Sequence, residues 1–419
     1  MMSKLYKLAA LLGDADVNWD DNHLRVVSRL DDSDIERLQL PSAIYSPHGT
    51  TNLRPLEPRS TRQLGKIGVC AMEDKALSKS NQAIFHHLKA NNNIEIILFG
   101  DDMLLNQPIE AWPTCDFLIA FHSDGFPLDK AISYTQLRSP IPCNDLLMQK
   151  LLFDRRLCLQ ILDLLEIRTP KRLEVNRDGG PSIDVNMAQH VYKSVGLKIE
   201  SSGYGSKPQT LPAVSLINDG NTLLVNGREL HKPFVEKPVN AEDHNIYIYY
   251  PTTPLGGGGG RRLFRRIGSK CSEFDPEIAI PRCITEDGTV NSYVYEPLLA
   301  ADCGQDVKAY TVGASYCLAV TRQSPAVTGI VYRNANGKEI RQVTELTREE
   351  TDTAAKISVT FGQALCGFDI VRNRGKSYVI DVNGWTSVKD QPAFYGECAN
   401  VLQQMMIARR EQDKLYSTR

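Results

Sequence analysis

The segment Cys366 to Lys389, CGFDIVRNRGKSYVIDVNGWTSVK, limits the possible folds more than any other stretch. Two short apolar runs, CGFDIV and SYVIDVN, flank the polar turn Arg372 to Lys376. β-Branched and aromatic residues alternating on both sides of a Gly-containing turn predict a β-hairpin. Asp369 and Asp381 put one acid on each strand, and Asn383 follows Asp381 by two positions. Second neighbours on a strand share a face. Two carboxylates and an amide oxygen at one place suit Mg²⁺, which commonly binds through a few carboxylates plus substrate phosphates. A surface hairpin whose Asp and Asn mark turns is the plainer alternative. An acid on each strand with a second-neighbour Asn favours the metal.

The rest of the chain supplies a scaffold of more than one layer. At 419 residues it is too long for one ordinary core. Residues 1–65 carry Pro41, Pro47, Pro55 and Pro58 in polar surroundings and read as a partly disordered extension. From Lys66, the runs KIGVCAM, NIEIILFG and CDFLIAFH alternate with helical patterns at 78–92 and 128–137, which predicts a parallel α/β layer. A long helix is expected over 144–165 with Asn144 as its cap. Beyond a strand after Pro170, residues 176–230 give little signal. Strands follow at 232–239, 245–251, 261–268, 291–299, 306–313 and 315–322. A helix is expected over 347–366, opened by the capping box Thr347-x-x-Glu350, with Ala354, Ile357, Phe361 and Leu365 inward. A final amphipathic helix is expected over 390–414. Gly256 to Gly260 lie between two strands. Such a run is free to close over a ligand, although it fits neither GxxxxGK[ST] nor GxGxxG.

Composition excludes some classes of function. A net charge of −2 gives no global field to draw in nucleic acid, so a charged ligand must meet a local patch. No apolar run reaches the roughly 20 residues of a membrane span, and the N-terminus lacks a full signal-peptide pattern. Ten cysteines stand singly with no CxxC pair. That usage reads as buried free thiols in a reducing compartment, cytosolic or nuclear.

Three further clusters look chemical. Lys237 lies on an apolar strand beside Glu236, and His244 begins the next strand. Its ammonium either meets an anion such as phosphate or stays wet over the sheet edge. Arg261, Arg262, Arg265, Arg266 and Lys270 form a basic run, with Arg262 and Arg266 on one face. Alone it would be a solvated face; beside a glycine run and a metal site it favours phosphate capture. Glu296, Asp306, Lys308 and Arg322 spread over the later strands, with Asp306 and Lys308 co-facial.

Over about residues 66–400 the sequence resembles the N-terminal kinase domain of the diphosphoinositol pentakisphosphate kinases. The strings CDFLIAFHSDGFPLDKA, NDLLMQKLLFDRRLCLQ, KPFVEKPVNAEDHNIYIYYP, RRLFRRIGSK, DVKAYTVG, CGFDIV and SYVIDVNG carry the likeness. The resemblance implies an α/β ATP-grasp fold. An α/β pre-ATP-grasp domain is expected at 66–166, a lid subdomain with the glycine run at 167–300, and a core subdomain with the metal site at 301–419. It implies transfer of the ATP γ-phosphoryl group to a phosphate at position 1 of an inositol polyphosphate. Arg155, Lys237, His244, Arg265 and Ser324 would lie at or near ATP. Glu296, Pro297, Leu298 and Leu299 would be the adenine hinge, Asp306 would bind the ribose, and Val307 and Lys308 would also contact the nucleotide. Asp369, Asp381 and Asn383 would hold Mg²⁺. Lys75, Arg265, Arg266, Lys308, Arg322, Thr386 and Lys389 would meet the inositol phosphates, with Lys308, Arg322 and Asp381 catalytic.

The sequence departs from the family pattern in places. Asp74-Lys75 stands for a basic pair, Arg266 for a Lys, Leu318 and Val320 for His and Glu, and Trp385-Thr386 for Phe-Ser. A phosphatase-like domain usually follows; here the sequence stops at Arg419. Two rival functions are an ATP-grasp ligase and a non-catalytic inositol-phosphate sensor. The concentration of Arg and Lys favours a polyanion over a ligase substrate, and the intact metal ligands disfavour a decayed site. The preferred acceptor, hexakisphosphate or 5-diphospho form, and the oligomeric state are left open.

Overall fold

The structure, a computed structural model, describes residues 64–90, 94–199, 211–252, 257–285, 291–389 and 391–417. The extension read at 1–65 lies outside them, save Leu64 and Gly65. Those two already belong to the first layer, with Leu64 buried and Gly65 opening a strand.

That layer is a four-stranded parallel sheet in the order β2-β1-β3-β4. It comprises β1 (Gly65–Cys70), β2 (Ile94–Leu98), β3 (Phe117–Ala120) and β4 (Ile141–Pro142). Helices α1 (Lys79–Lys89) and α2 (Leu128–Arg138) follow β1 and β3. Phe117 to Ala120 is buried throughout, as parallel strands covered on both faces must be. The helix expected over 144–165 is two helices, α3 (Leu146–Leu151) and α4 (Arg155–Leu164). Each has its own cap: Asp145 accepts from the Met148 amide and Asp154 from the Arg156 amide. Asn144 is not a cap. It is buried, bonded to Gln363 and to the Ala364 amide, and so joins this layer to the last sheet.

The second sheet has six strands, β12-β11-β10-β9-β13-β5. These are β5 (Leu173–Val175), β9 (Phe234–Pro238), β10 (Ile246–Tyr249), β11 (Gly260–Ile267), β12 (Lys270–Asp275) and β13 (Tyr293–Pro297). The region that gave little signal holds α5 (Val185–Val195) and a three-stranded sheet. Its strands are β6 (Val214–Ile217), β7 (Thr222–Val225) and β8 (Arg228–His231). Leu223 and Val225 pack with Phe234, Tyr249 and Tyr295 of the six-stranded sheet. Of the five glycines, 257–260 are described, and Gly260 is the first residue of β11.

The third sheet has five antiparallel strands, β16-β15-β14-β17-β18. They are β14 (Gln305–Val312), β15 (Tyr316–Gln323), β16 (Gln342–Thr344), β17 (Leu365–Asn373) and β18 (Lys376–Asn383). Helix α6 (Arg348–Thr360) starts at the expected capping box. It stops six residues sooner than expected, because Leu365 and Cys366 already belong to β17. The hairpin β17–β18 turns through Arg374 and Gly375, with φ of 51° and 73°. Two positive φ values give the turn whose twist matches the flanking strands, and Gly adopts one at no steric cost.

The β14 strand sets the packing. Val307 and Ala309 point into a core with Phe368 and Ile370 of β17, Leu159 and Leu162 of α4, and Ile357 of α6. Asp306 and Lys308 therefore face the other way. Further along, Tyr310 and Val312 join a second core with the first layer and with helix α7 (Pro392–Ser417). The parallel sheet followed by the six-stranded and five-stranded antiparallel sheets is the layering expected of the ATP-grasp fold, with the small β6-β7-β8 sheet packed on the six-stranded one.

Candidate active site

Strand register brings the hairpin acids together. Asp369 lies directly opposite Asp381, and Lys308 directly opposite Asp369. Three strands thus place Lys308, Asp369 and Asp381 in one row on one face. In the neighbouring row Asp306 lies opposite Arg322. The Lys308 ammonium is 3.3 Å from both Asp369 oxygens. Burial opposes ionisation of Asp369, but Lys308 and Arg322 outweigh it and hold the carboxyl below its usual range. Asp381 is pushed the other way, first by burial and also by Asp369, against the pull of Arg155, Lys308 and Lys237. Its side chain accepts from the Asn383 amide at 3.1 Å. Asp306 is pushed up to about 6 by burial, with Arg322 and Ser324 opposing.

Lys237 and Glu296 face these rows from the six-stranded sheet. The Lys237 ammonium is not wet: it is 2.6 Å from Glu296 Oε2 and donates to the Ile380 carbonyl at 3.1 Å. Its anion is thus a carboxylate of the protein. A cavity lies between the two sheets and α4, lined by Leu159, Lys237, Glu296, Ile380 and Asp381 among others. Glu296 Oε1 and Arg322 Nε are buried beside the site without a hydrogen-bond partner. Such open valences are unusual in a protein interior and fit a ligand-binding cleft. Of the segment 296–299 expected to be the adenine hinge, Glu296 lines this cavity, and β13 ends at Pro297. Pro297 pairs with Phe234, and the Leu298 amide donates to the Pro233 carbonyl at 3.0 Å, leading into half-buried Leu299. Ser324 is buried and bonded to Asp306, while Val307 is core.

Arg155 is buried at the start of α4 and donates to the carbonyls of Pro238 and Asn240, each at 2.6 Å, and of Ala241 at 3.2 Å. It holds the loop that carries His244. His244 does not start the next strand but precedes it; burial, Arg265 and Arg155 push its imidazole below the ordinary value.

The remaining sequence-selected cations lie further out. Arg265 and Arg266 are exposed, 3.3 Å from Glu242 and 3.7 Å from Glu339. A register shift between Leu263 and Ile267 interrupts the strict alternation from which a shared face of Arg262 and Arg266 was expected. Arg262 donates to Asn245 instead. Lys389 is exposed, and Lys75 pairs with Asp74 at 2.6 Å on the first layer. Thr386 covers Gly367, where a Cβ would run into the Thr386 methyl.

One cation of this cluster was not legible in the sequence. Arg341 lies just before β16, donates to the Tyr310 hydroxyl at 3.2 Å and pairs with Glu339 at 2.8 Å. In sequence, GKEIRQ looks like a solvated charge run. Only the alternation from Glu339 to Arg341 hinted at a shared face.

The donor set fits a hard cation. Among the described residues no three His, Cys, Asp or Glu side chains could together hold a metal. Asp369, Asp381 and Asn383 form a set of two carboxylates and an amide. Among the described residues Asp381 makes no ion pair, and burial pushes its carboxyl up, so a cation would relieve that burial.

Residues 66–154 match the family model described as the diphosphoinositol pentakisphosphate kinase 2 N-terminal domain. The chain is 49% identical over 373 residues to the inositol hexakisphosphate and diphosphoinositol-pentakisphosphate kinase of Saccharomyces cerevisiae, covering 89% of this chain and 31% of that protein. The chain belongs to the diphosphoinositol pentakisphosphate kinase family. It is 41% identical over 336 residues to the Homo sapiens inositol hexakisphosphate and diphosphoinositol-pentakisphosphate kinase 2, covering 80% of this chain and 24% of that protein. It therefore spans a third or less of the length of these relatives. Among solved structures it is distantly similar to a D-alanine–D-alanine ligase from Bacillus anthracis, with TM-score 0.44 and 13% identity over 83% of this chain and 99% of that one. No described helix is long and apolar enough to cross a membrane.

Proposed function

We propose that this member of the family transfers the γ-phosphoryl group of ATP to the position-1 phosphate of an inositol polyphosphate. The observation that carries the reading is the row Lys308, Asp369, Asp381, with Arg322 and Asp306 beside it. Two relatives are named for inositol hexakisphosphate and its diphospho derivative, in keeping with this acceptor class. Asp369, Asp381 and Asn383 would hold Mg²⁺, which supplies charge neutralisation between ATP phosphates when bound. The cavity beside Lys237 and Glu296 would take the nucleotide, with 296–299 along its adenine edge and Asp306 and Ser324 at the ribose.

Most of the work is positioning and charge stabilisation, because the transferring group is loose and metaphosphate-like. Lys308 and Arg322 would offset charge on the transferring oxygens. Arg265, Arg266, Thr386 and Lys389 would orient the acceptor, and Lys75 would make an outer contact. No general base is required, since a phosphate monoester already presents an oxyanion, its second pKa being about 6. The acids at the cleft have other partners: Asp369 with Lys308, Glu296 with Lys237 and Asp306 with Ser324. All ten cysteines are free thiols, in keeping with a reducing cytoplasm. A net charge of −2 offers no general attraction to nucleic acid.

The test is incubation with Mg·ATP and inositol hexakisphosphate, with products resolved by charge. The wild-type chain should form a more anionic product, and Asp381→Ala should form none while melting close to wild type. Substantial transfer by a well-folded Asp381→Ala variant would remove Asp381 from the metal set. An amide replacement elsewhere that stops transfer while Mg²⁺ and ATP still bind would mean a hydroxyl acceptor.

A further inference from the structure

Glu339 is a carboxylate among the cations assigned to the acceptor. Its Oε2 takes Nε and Nη2 of Arg341 at 3.1 and 2.8 Å, and Nη1 of Arg266 lies 3.7 Å away. Arg266 comes from β11 of the six-stranded sheet, whereas Arg341 adjoins β16 of the five-stranded one. One oxygen therefore bridges cations of the two sheets. The carboxylate is 19% exposed. Arg341, Arg322 and Arg266 together hold it below its ordinary range despite burial, so it stays ionised at neutral pH.

The backbone fixes this carboxylate in place. Arg333 and Glu339 form an antiparallel bridge, and the Ile340 amide donates to the Tyr332 carbonyl at 2.9 Å. Asn334 Oδ1 accepts from the amides of Asn336 and Lys338, each at 3.0 Å. The Arg333 guanidinium donates to Gly337 within the loop at 2.7 Å and to Gly268, at the β11–β12 turn, at 2.9 Å. Glu339 is thus presented by a tight turn that is itself tied to the six-stranded sheet.

We propose that Glu339 is a specificity-determining residue of the acceptor site, an internal anion occupying a phosphate subsite between Arg341 and Arg266. The inference rests on the functional reading above. A tethered carboxylate competes at the high effective concentration of an intramolecular group. A lone phosphate must displace it without other help and loses. A polyphosphate held also by Lys308, Arg322 and Lys389 displaces it, because its remaining phosphates stay bound. Glu339 therefore selects for several phosphates on one molecule and keeps inorganic phosphate out. It also weakens the hold on a product that carries one more phosphate.

The test compares wild type with Glu339→Gln, which keeps an acceptor for Arg341 but removes the charge, and with Glu339→Asp, which keeps the charge. Binding of inorganic phosphate is measured by titration without nucleotide, and inositol hexakisphosphate binding in the same way. Glu339→Gln should bind inorganic phosphate about tenfold more tightly and the hexakisphosphate by a smaller factor, with Glu339→Asp close to wild type. Glu95→Gln, an equal charge change on the first layer, should alter neither. A Glu339→Gln chain that melts like wild type but binds inorganic phosphate no better would overturn the proposal. So would an equal gain in Glu95→Gln. Because binding is read without turnover, a chain that binds these anions but transfers no phosphoryl group counts against the kinase reading alone.

Discussion

The Lys237 ammonium is buried 2.6 Å from Glu296, whereas the Arg265 guanidinium is 63% exposed and 3.3 Å from Glu242. Three cations at the inner end of the cleft have protein partners before any ligand arrives. Arg155 is bonded to loop carbonyls, Lys237 to Glu296, and Lys308 to Asp369. The outer end keeps its cations loosely engaged at the surface. The contrast follows from desolvation. A buried charge without a partner is too costly to keep, so the folded chain supplies partners itself. A wet charge carries no such penalty and is free to meet a substrate.

The strongest way to break this contrast is Lys237→Met. It leaves Glu296 buried and uncompensated, which costs about 3–5 kcal/mol for a pair of this kind. The urea midpoint should fall clearly, and Lys237→Met combined with Glu296→Leu should recover most of the loss. A single variant as stable as wild type would mean that the inner end is wetter than the geometry implies. The opposite behaviour is expected of Arg265→Ala. Its stability should stay within about 0.5 kcal/mol of wild type, as for exposed pairs generally. Its affinity for inositol hexakisphosphate should fall about tenfold with a shallower salt dependence, while ATP affinity changes little. Equal losses for both ligands would erase the distinction between the two ends.

The smallest effect concerns a pair of intermediate exposure. His190 of α5 lies 2.7 Å from Asp145, the cap of α3, with the two side chains 30% and 25% exposed. The hydrogen bond to Asp145 raises the His190 pKa, with burial opposing. The folded state therefore holds this proton more tightly than the unfolded chain. The resulting stability is fully present below the unfolded value of about 6.5 and is lost as pH rises through the raised value. For a pair this exposed the gain is about 1 kcal/mol or less. Urea midpoints at acid and alkaline pH should differ less in His190→Gln than in wild type, and an unchanged difference would remove the pair as its source.

Where local pattern and tertiary structure agree, the sequence was readable. The β17–β18 hairpin and the Thr347 capping box depend on neighbours in the chain, and both appear as read. Asp369 and Asp381 could be placed on adjacent strands, although their direct opposition needed the register. Helix α5 was obscured because only Met187 and Val191 of its residues are buried, too few to mark a face. Leu365 looked like one more turn of α6, since an apolar residue four positions after Phe361 fits a helix as well as a strand start. The pause between α3 and α4 falls at Asp154, a cap whose Arg156 partner is set by folding, including the 2.8 Å contact from Arg156 to distant Asp178. Arg341 and Glu339 were missed because their importance comes from the approach of β11, which no local pattern records.

Trp385 stands two residues beyond Asn383. It stacks on Phe121 of the first layer at 5.2 Å and 12°, and its indole N–H donates to Asn81 of α1 at 3.0 Å. The exit of β18 is thus clamped by a layer whose own chain begins some three hundred residues earlier. A fragment beginning at the six-stranded sheet would contain every candidate metal ligand yet leave the end of that strand unsupported. Split-protein complementation should therefore restore nucleotide binding only when the first-layer fragment is added back. In a recombined gene the parallel layer would have to travel with the hairpin as a single inherited unit.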